Sequence, residues 1–159
     1  MSESEAWLEP WWESTDRPDP IELLELQNTS RLSWLIPERH RRMAESPFAW
    51  FRGSAAVMAR DLAAAPHSGQ LVQLCGDAHL LNFGFYASPE RTLVFDINDF
   101  DETLPGPWEW DLKRLLVSLV LVARQLGLDA EEQERLARKV ASSYRKAIAV
   151  YAAMPTQEL

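Results

Sequence analysis

The stretch 76–101, which reads GDAHLLNFGFYASPERTLVFDINDFD, decides how the rest of the chain is interpreted. Short apolar runs predict strands over 83–86 and 92–97, and the turn residues at 88–91 predict that the two strands form a hairpin. The second run is apolar at almost every position, which is typical of a strand buried on both faces. Polar side chains at strand ends converge on a crevice, where binding sites usually form.

The polar residues of this stretch match the chemistry of phosphoryl transfer. Asp77 precedes Asn82 on one loop, and Asp99 follows the second strand. Asn and Asp oxygens are hard ligands suited to Mg²⁺, and a loop Asp, a nearby Asn and a strand-end Asp form the working set of kinase-type enzymes. We therefore predict that Asp77 is the catalytic base, that Asn82 and Asp99 are metal ligands, and that Asp101 is a further ligand.

Each of these residues also has a structural interpretation. Asp77 can be a turn residue and Asn82 a loop-capping amide. Asp99 can cap the strand end, and Asp101 can be a polar loop residue. His79 is either an orienting residue or a catalytic phosphate contact. If the functional roles hold, Asn82 and Asp99 converge within reach of one metal ion, with Asp77 on the same rim.

Three further residues are expected to support this site. Gly76 supplies the turn that opens the loop. Asp111 lies at the head of an apolar helix predicted over 108–126, and we expect its carboxylate to accept backbone N–H bonds from the loop. Arg52 is a candidate for cofactor binding through a phosphate, or else the partner of an acidic residue.

The rest of the chain predicts helices around a small β region. Asp19, Ser46 and Asp129 are N-cap candidates in front of helical patterns. Gly53 is expected to interrupt the helix after Ser46, and the Pro-Gly-Pro at 105–107 predicts a loop. The expected fold class is α+β, mostly helical, with a β-hairpin that carries the site.

Composition sets the class of protein. A chain of 159 residues with 47% hydrophobic and 25% charged residues is expected to form a soluble domain over 20–159, preceded by an acidic, Trp- and Pro-rich arm over 1–19. The single cysteine, Cys75, excludes a disulfide framework and a multi-cysteine zinc site. Neither a signal sequence nor a membrane-length apolar run is present, so a cytoplasmic location is expected, with no membrane partner.

Charge argues against a nucleic-acid partner. The net charge is −8, and almost all of it comes from residues 1–25, which leaves the remaining residues nearly neutral. A nucleic-acid binder would carry the opposite sign along one face. The short basic cluster at 39–42 is either a solvated helix end or an anion contact.

The sequence resembles the protein-kinase-like and aminoglycoside-phosphotransferase superfamily. CGDAHLLN at 75–82 is similar to its His-Gly-Asp-x-x-x-x-Asn catalytic loop, and NDFD at 98–101 is similar to its metal-binding Asp segment. Asp111-Leu112 is similar to the Asp-Leu that opens the helix beneath that loop. More closely, SPFAWFRG, CGDAHLLNFG, FDINDFDET and PGPWEWDLKRL resemble the bacterial family called domain of unknown function 2252, from about Pro20 to the end of the chain.

The resemblance implies a partial kinase-like catalytic lobe that uses Mg²⁺ and ATP to phosphorylate a hydroxyl-bearing acceptor. Cys75 replaces the superfamily's usual His. A Gly-rich loop and a strand lysine are lacking, because the only lysines are Lys113, Lys139 and Lys146, all in predicted late helices. The resembled family places that nucleotide clamp after the region present here, so the chain is expected to be an N-terminal part, weakly active or inactive alone.

Two other functions remain open. One is a non-catalytic remnant that acts as a binding module. The other is a metal-dependent phosphoesterase, which would need more His and Asp ligands than His40 and His67 offer. The expected partners are a second copy or a missing C-terminal half, packed on an apolar surface made partly by the last helix and by the tryptophans Trp7, Trp11 and Trp12.

Overall fold

A computed structural model describes residues 17–155 as an α+β fold, mostly helical, with two small antiparallel sheets. The expected fold class is therefore confirmed. The helices, in chain order, are α1 (Pro20–Asn28), α2 (Ile36–Met43), α3 (Pro47–Arg52), α4 (Ala55–Ala63), α5 (Glu109–Gln125) and α6 (Ala130–Ala152). Short 3₁₀ turns lie at Ser33–Leu35 and Leu80–Asn82.

The strands form two nested pairs. They are β1 (Leu71–Leu74), β2 (Phe83–Ala87), β3 (Leu93–Ile97) and β4 (Leu104–Pro107). The outer strands, β1 and β4, pair with each other, and the β2–β3 hairpin lies between them in the sequence. The two segments that connect the pairs, 75–82 and 98–103, are therefore brought side by side.

Hydrogen bonds join these two connecting segments. The N–H of Asn98 donates to the carbonyl oxygen of Asn82 at 3.0 Å. The Cys75 thiol donates to the carbonyl oxygen of Asp99 at 3.4 Å, and the Thr103 hydroxyl donates to that of Leu74 at 2.6 Å. These hydrogen bonds hold the two loops that carry the predicted site residues next to each other.

The local signals for helix ends are confirmed. Asp19 accepts a hydrogen bond from the N–H of Ile21, and Ser46 accepts one from Ala49. Asp129 begins α6 with a full capping box. Gly53 ends α3 and separates it from α4, as predicted.

Two predictions about strands are wrong. The Pro-Gly-Pro at 105–107 is not a loop but part of β4. Both strands of a two-stranded sheet are edge strands. Proline is tolerated in an edge strand, because it lacks an N–H and can occupy positions at which the N–H would point away from the partner strand. The strand β3 exists, but it is not buried on both faces, since Leu93 is 71% and Phe95 is 60% exposed.

Helix α5 is also less uniformly buried than its apolar sequence predicts. Its most deeply buried residues are Glu109, Arg114, Ser118 and Ala123, of which three are polar. Glu109 accepts hydrogen bonds from the N–H and the hydroxyl of Ser68, at 2.6 and 2.9 Å. Burial disfavours the anion, but these bonds hold the pKa of Glu109 below its ordinary value. The polar groups of α5 therefore anchor loops.

The other faces of the fold are simpler. Helix α6 lies on α5, and the Tyr144 ring stacks on the Trp108 ring with centroids 5.7 Å apart. Within residues 17–155, no helix combines the length and apolar character needed to cross a bilayer. The expected arm over 1–19 and its three tryptophans lie almost entirely outside the described residues.

Replacing Gly76 tests the turn that opens the site loop. Gly76 has φ +85°, and an added Cβ would overlap the carbonyl oxygen of Glu102. Gly69 is a matched control, because it has φ +78° but open space around its Cβ position. We expect Gly69→Ala to cost about 1–2 kcal/mol of unfolding free energy, and Gly76→Ala to cost at least about 1 kcal/mol more because of the overlap. Equal losses in urea denaturation would contradict this account.

Candidate active site

One face of helix α5 holds the loop that follows β1. The two carboxylate oxygens of Asp111 accept the backbone N–H groups of Cys75 and Gly76, at 2.8 and 3.0 Å. Two turns along the helix, the Ser118 hydroxyl accepts the N–H of Leu80 at 3.1 Å. Burial raises the pKa of Asp111, while the two hydrogen bonds oppose that rise. The bonds expected of Asp111 are therefore present.

Arg114, one turn after Asp111, fixes the predicted catalytic base. Its Nε donates to Oδ1 of Asp77 at 2.6 Å, and its Nη2 donates to the carbonyl oxygen of Phe51 at 2.8 Å. The guanidinium lies 4.2 Å from the centroid of the Phe51 ring, and its side chain is only 3% exposed. This ion pair sets the direction of the Asp77 carboxylate. Sequence analysis missed Arg114, although its spacing from Asp111 puts both on one helix face.

His79 is buried inside the loop. Its Nδ1 accepts the N–H of Leu81 at 3.1 Å, which assigns the proton of the neutral ring to Nε2. Nε2 lies 3.6 Å from Oδ2 of Asp77, and the Phe48 ring packs edge-on against the imidazole. Burial lowers the pKa of His79, against the opposing effect of Asp77. These contacts favour the orienting role over direct contact with a phosphate.

Asn82 is buried and bonded to the same loop. Its Nδ2 donates to the carbonyl oxygen of Asp77 at 2.8 Å. That bond closes the loop and fixes which end of the amide faces the backbone. Asn82 is not among the described residues that line the cleft around Asp77. The structure therefore places Asn82 beside Asp77 without bringing its side chain to the cleft surface.

A cleft of about 240 Å³ collects the remaining charged residues of the site. Its carboxylates come from the loops after β1 and β3, and they are Asp77, Asp99, Asp101 and Glu102. Its guanidiniums come from the region between α1 and α4, and they are Arg31, Arg39 and Arg52. Three predicted acidic site residues and the predicted Arg52 are thus together. Arg39 belongs to the basic cluster at 39–42, for which an anion contact was one of two interpretations, and Arg31 was not predicted.

The chemistry of the carboxylates suits a Mg²⁺ ion. Oδ1 of Asp99 accepts the N–H of Asp101 at 3.2 Å, and this hydrogen bond closes a turn between the two residues. Both side chains are exposed. Among residues 17–155, no group of three or more His, Cys, Asp or Glu side chains converges as a metal cage. Mg²⁺ is usually held by one or two carboxylates together with phosphate oxygens and water. Asp99 and Asp101 therefore fit the protein's share of such a site.

A family model matches most of the chain, including nearly all of the cleft. The model described as "Uncharacterized protein conserved in bacteria (DUF2252)" matches residues 31–159, and the chain belongs to this family. The match includes every residue of the cleft except Gln27. No curated protein and no solved structure matches the chain.

Asp111 and Asp99 are expected to differ in their effect on stability. Asp111→Ala leaves two backbone donors without their acceptor and should cost about 1–3 kcal/mol of unfolding free energy. Asp99→Ala should be neutral or stabilising without metal, because it removes an exposed charge close to Asp101. Chemical denaturation measures both. Equal losses would mean that the structural and functional carboxylates have been confused.

The buried imidazole predicts a pH dependence. Because the pKa of His79 is lowered in the folded state, its contribution to stability is complete above the unfolded pKa of about 6.5 and is lost as pH falls below it. His79→Asn keeps an acceptor for Leu81 and should remove this part of the decline between about pH 7.5 and 5.5. His67→Asn is the control, since His67 accepts the N–H of Gly69 in the same way but is exposed.

Urea denaturation at the two pH values measures the effect. The decline in His67→Asn should equal that of the wild type. A decline in His79→Asn as steep as in His67→Asn would show that the buried ring does not set the pH dependence.

Proposed function

We propose that this DUF2252 protein forms the metal-binding and acceptor-activating part of a kinase-like phosphotransferase. In its complete form, the enzyme would move the terminal phosphoryl group of Mg-ATP to a hydroxyl group. One observation carries the proposal: Asp77, Asp99 and Asp101 line one cleft together with three arginines. Phosphoryl transfer needs positioning and charge stabilisation more than covalent chemistry, and a cleft with both signs of charge suits that need.

In this proposal, Asp77 orients the acceptor hydroxyl and takes its proton. The ion pair with Arg114 holds the carboxylate in place. The hydrogen bond from Asn82 to the carbonyl oxygen of Asp77 keeps the backbone beneath it closed. The base is thus positioned by groups that need not touch the substrate.

Asp99 and Asp101 are the proposed metal ligands. When bound, Mg²⁺ neutralises charge on the phosphate oxygens. Asn82 could join them only through its Oδ1, because Mg²⁺ takes oxygen ligands, and its side chain does not line the cleft. Asn82 therefore ranks behind the two carboxylates as a ligand.

The nucleotide side is proposed to be incomplete. The sequence has no Gly-rich loop, and its three lysines lie on α5 and α6. Arg31, Arg39 and Arg52 supply positive charge, but no glycine-rich backbone joins them to wrap a triphosphate. We propose that the chain alone turns over ATP slowly or not at all, and that a C-terminal part or a partner completes the clamp.

An interaction module is the second candidate function. The rings of Phe85 and Phe95 pack on each other with centroids 4.9 Å apart, yet they are 72% and 60% exposed. Leu93 lies two residues before Phe95 on the same strand face and is also exposed, so it adds to this apolar surface, which soluble proteins usually cover with a partner. A phosphoesterase is less favoured, because the described residues hold no multi-ligand metal cluster.

Binding of Mn²⁺, a paramagnetic substitute for Mg²⁺, tests the catalytic proposal. Electron paramagnetic resonance of the full chain should show weak binding that Asp99→Asn or Asp101→Asn reduces at least tenfold, roughly the smallest loss seen when even an outer-shell partner is removed. Asp96→Asn is the matched control. Asp96 is also exposed, it lies outside the cleft, and its Oδ1 accepts the N–H of Ile97, a bond that Asn retains.

Equal Mn²⁺ affinity in the three variants would contradict the proposed metal site. That outcome would favour the interaction module, which needs no carboxylate in the cleft. Fast ATP turnover by the chain alone would contradict the proposal that the clamp is incomplete.

A further inference from the structure

An arginine-rich groove adjoins the carboxylate cleft. The groove has a volume of about 1010 Å³ and shares Arg31, Arg39, Arg52 and Gly53 with the cleft. Five arginines and two glutamates line it, which leaves a net charge of +3. None of the cleft carboxylates lines the groove. Positive charge therefore continues from the cleft into a larger groove, which the carboxylates of the cleft do not line.

Two of the five groove arginines are already paired with carboxylates. Arg41 contacts Glu38 and Glu45, and Arg42 contacts Glu38. These are exposed pairs within α2 and its C-terminal end, so they add little net attraction for a ligand.

Arg39 is also held by the protein. It donates to Oδ1 of Asn28 at 3.1 Å and to the carbonyl oxygen of Gly53 at 2.6 Å. These acceptors are neutral, and the nearby carboxylates of Glu102 and Glu25 only partly offset its positive charge. Burial and the nearby charge of Arg31 lower the pKa of Arg39, so an anion bound here would relieve an existing repulsion.

Arg31 and Arg52 remain available for a ligand. Within the part of the chain that the structure describes, neither guanidinium donates a hydrogen bond or forms an ion pair, and the only bond of Arg31 to another segment is that of its backbone N–H to the carbonyl oxygen of Asn28. Both are exposed, and both line the groove and the cleft. Guanidinium groups bind phosphate in a bidentate manner, so two free arginines beside a third suit a dianionic group.

We propose that Arg31, Arg39 and Arg52 form a subsite for a phosphate group of the acceptor substrate. The inference rests on the proposed function and names the acceptor class: a hydroxyl-bearing molecule that already carries a phosphate and has an apolar portion. The apolar portion would lie in the groove, whose uncharged lining includes Leu32, Leu35, Ile36, Met43 and Ala49. The hydroxyl would then face Asp77 across the shared arginines.

The acceptor is favoured over the nucleotide as the source of this phosphate. The triphosphate must lie against the carboxylates that share its metal, and these carboxylates line only the cleft. The three arginines line the groove as well as the cleft, so they also present charge where none of these carboxylates lies. A phosphate bound on the groove side would therefore be held without the metal.

Pyrophosphate is the probe that tests the subsite. Isothermal titration of the full chain at low ionic strength, with chelator present, should show binding that Arg31→Gln and Arg52→Gln each weaken roughly tenfold or more. Arg60→Gln is the matched control, because Arg60 is an exposed helix arginine on α4 outside both the cleft and the groove. Thermal unfolding of each variant confirms that it is folded.

The outcomes separate the inference from the proposed function. Pyrophosphate binding that persists in Asp99→Asn and without metal supports the subsite, even if the Mn²⁺ test of the proposed function fails. Binding that requires Mn²⁺ and is lost in Asp99→Asn overturns the acceptor assignment and gives the arginines to the nucleotide. An absence of binding by the wild type at millimolar concentration, or an equal loss in Arg60→Gln, overturns the subsite itself.

Discussion

The hydrogen-bonded face of helix α5 determines the shape of the site loop. Asp111, Arg114 and Ser118 lie at helical spacing, and they hold respectively the start, the acidic residue and the end of the loop after β1. Asp111 and Ser118 accept backbone N–H groups that the loop's own bonds leave over, and Arg114 fixes the side chain of Asp77. The loop is thereby attached to a helix that also packs on α3, α4 and α6.

The nested strand pairs convert this fixed loop into a two-sided cleft. Pairing of β1 with β4 and of β2 with β3 leaves the Asp99 segment beside the Asp77 segment, and Cys75 bonds the two together. The arginines approach from the region between α1 and α4, where Arg39 ties the end of α1 to Gly53. The placement of carboxylates and arginines in one cleft thus depends on backbone topology as much as on the identity of the charged residues.

Local signals in the sequence were sufficient for the helix caps, because a cap depends on residues close by in the chain. The role of Asp111 could be predicted from its recognisable position at the head of an apolar helix. Local signals were insufficient for Arg114, whose buried charge is hidden in an apolar helix and whose partner lies far away in the sequence. Arg31 was missed for the same reason, and Arg39 was predicted only as part of a basic cluster, since only tertiary packing brings them into one cleft with Asp99. The exposure of β3 was mispredicted because an apolar run does not reveal whether another layer will cover it.

The long reach of the Asp111 bonds also constrains when the site can form during folding. Asp111 lies 36 residues after Cys75, and Arg114 lies 37 residues after Asp77. Closing loops of this length costs entropy before any contact is gained, so such contacts form late on the folding pathway. The β2–β3 hairpin, whose contacts are local, can form while α5 is still being synthesised. A nascent chain that has not yet extended through α5 therefore holds a formed hairpin beside a loop that has not yet acquired its final conformation.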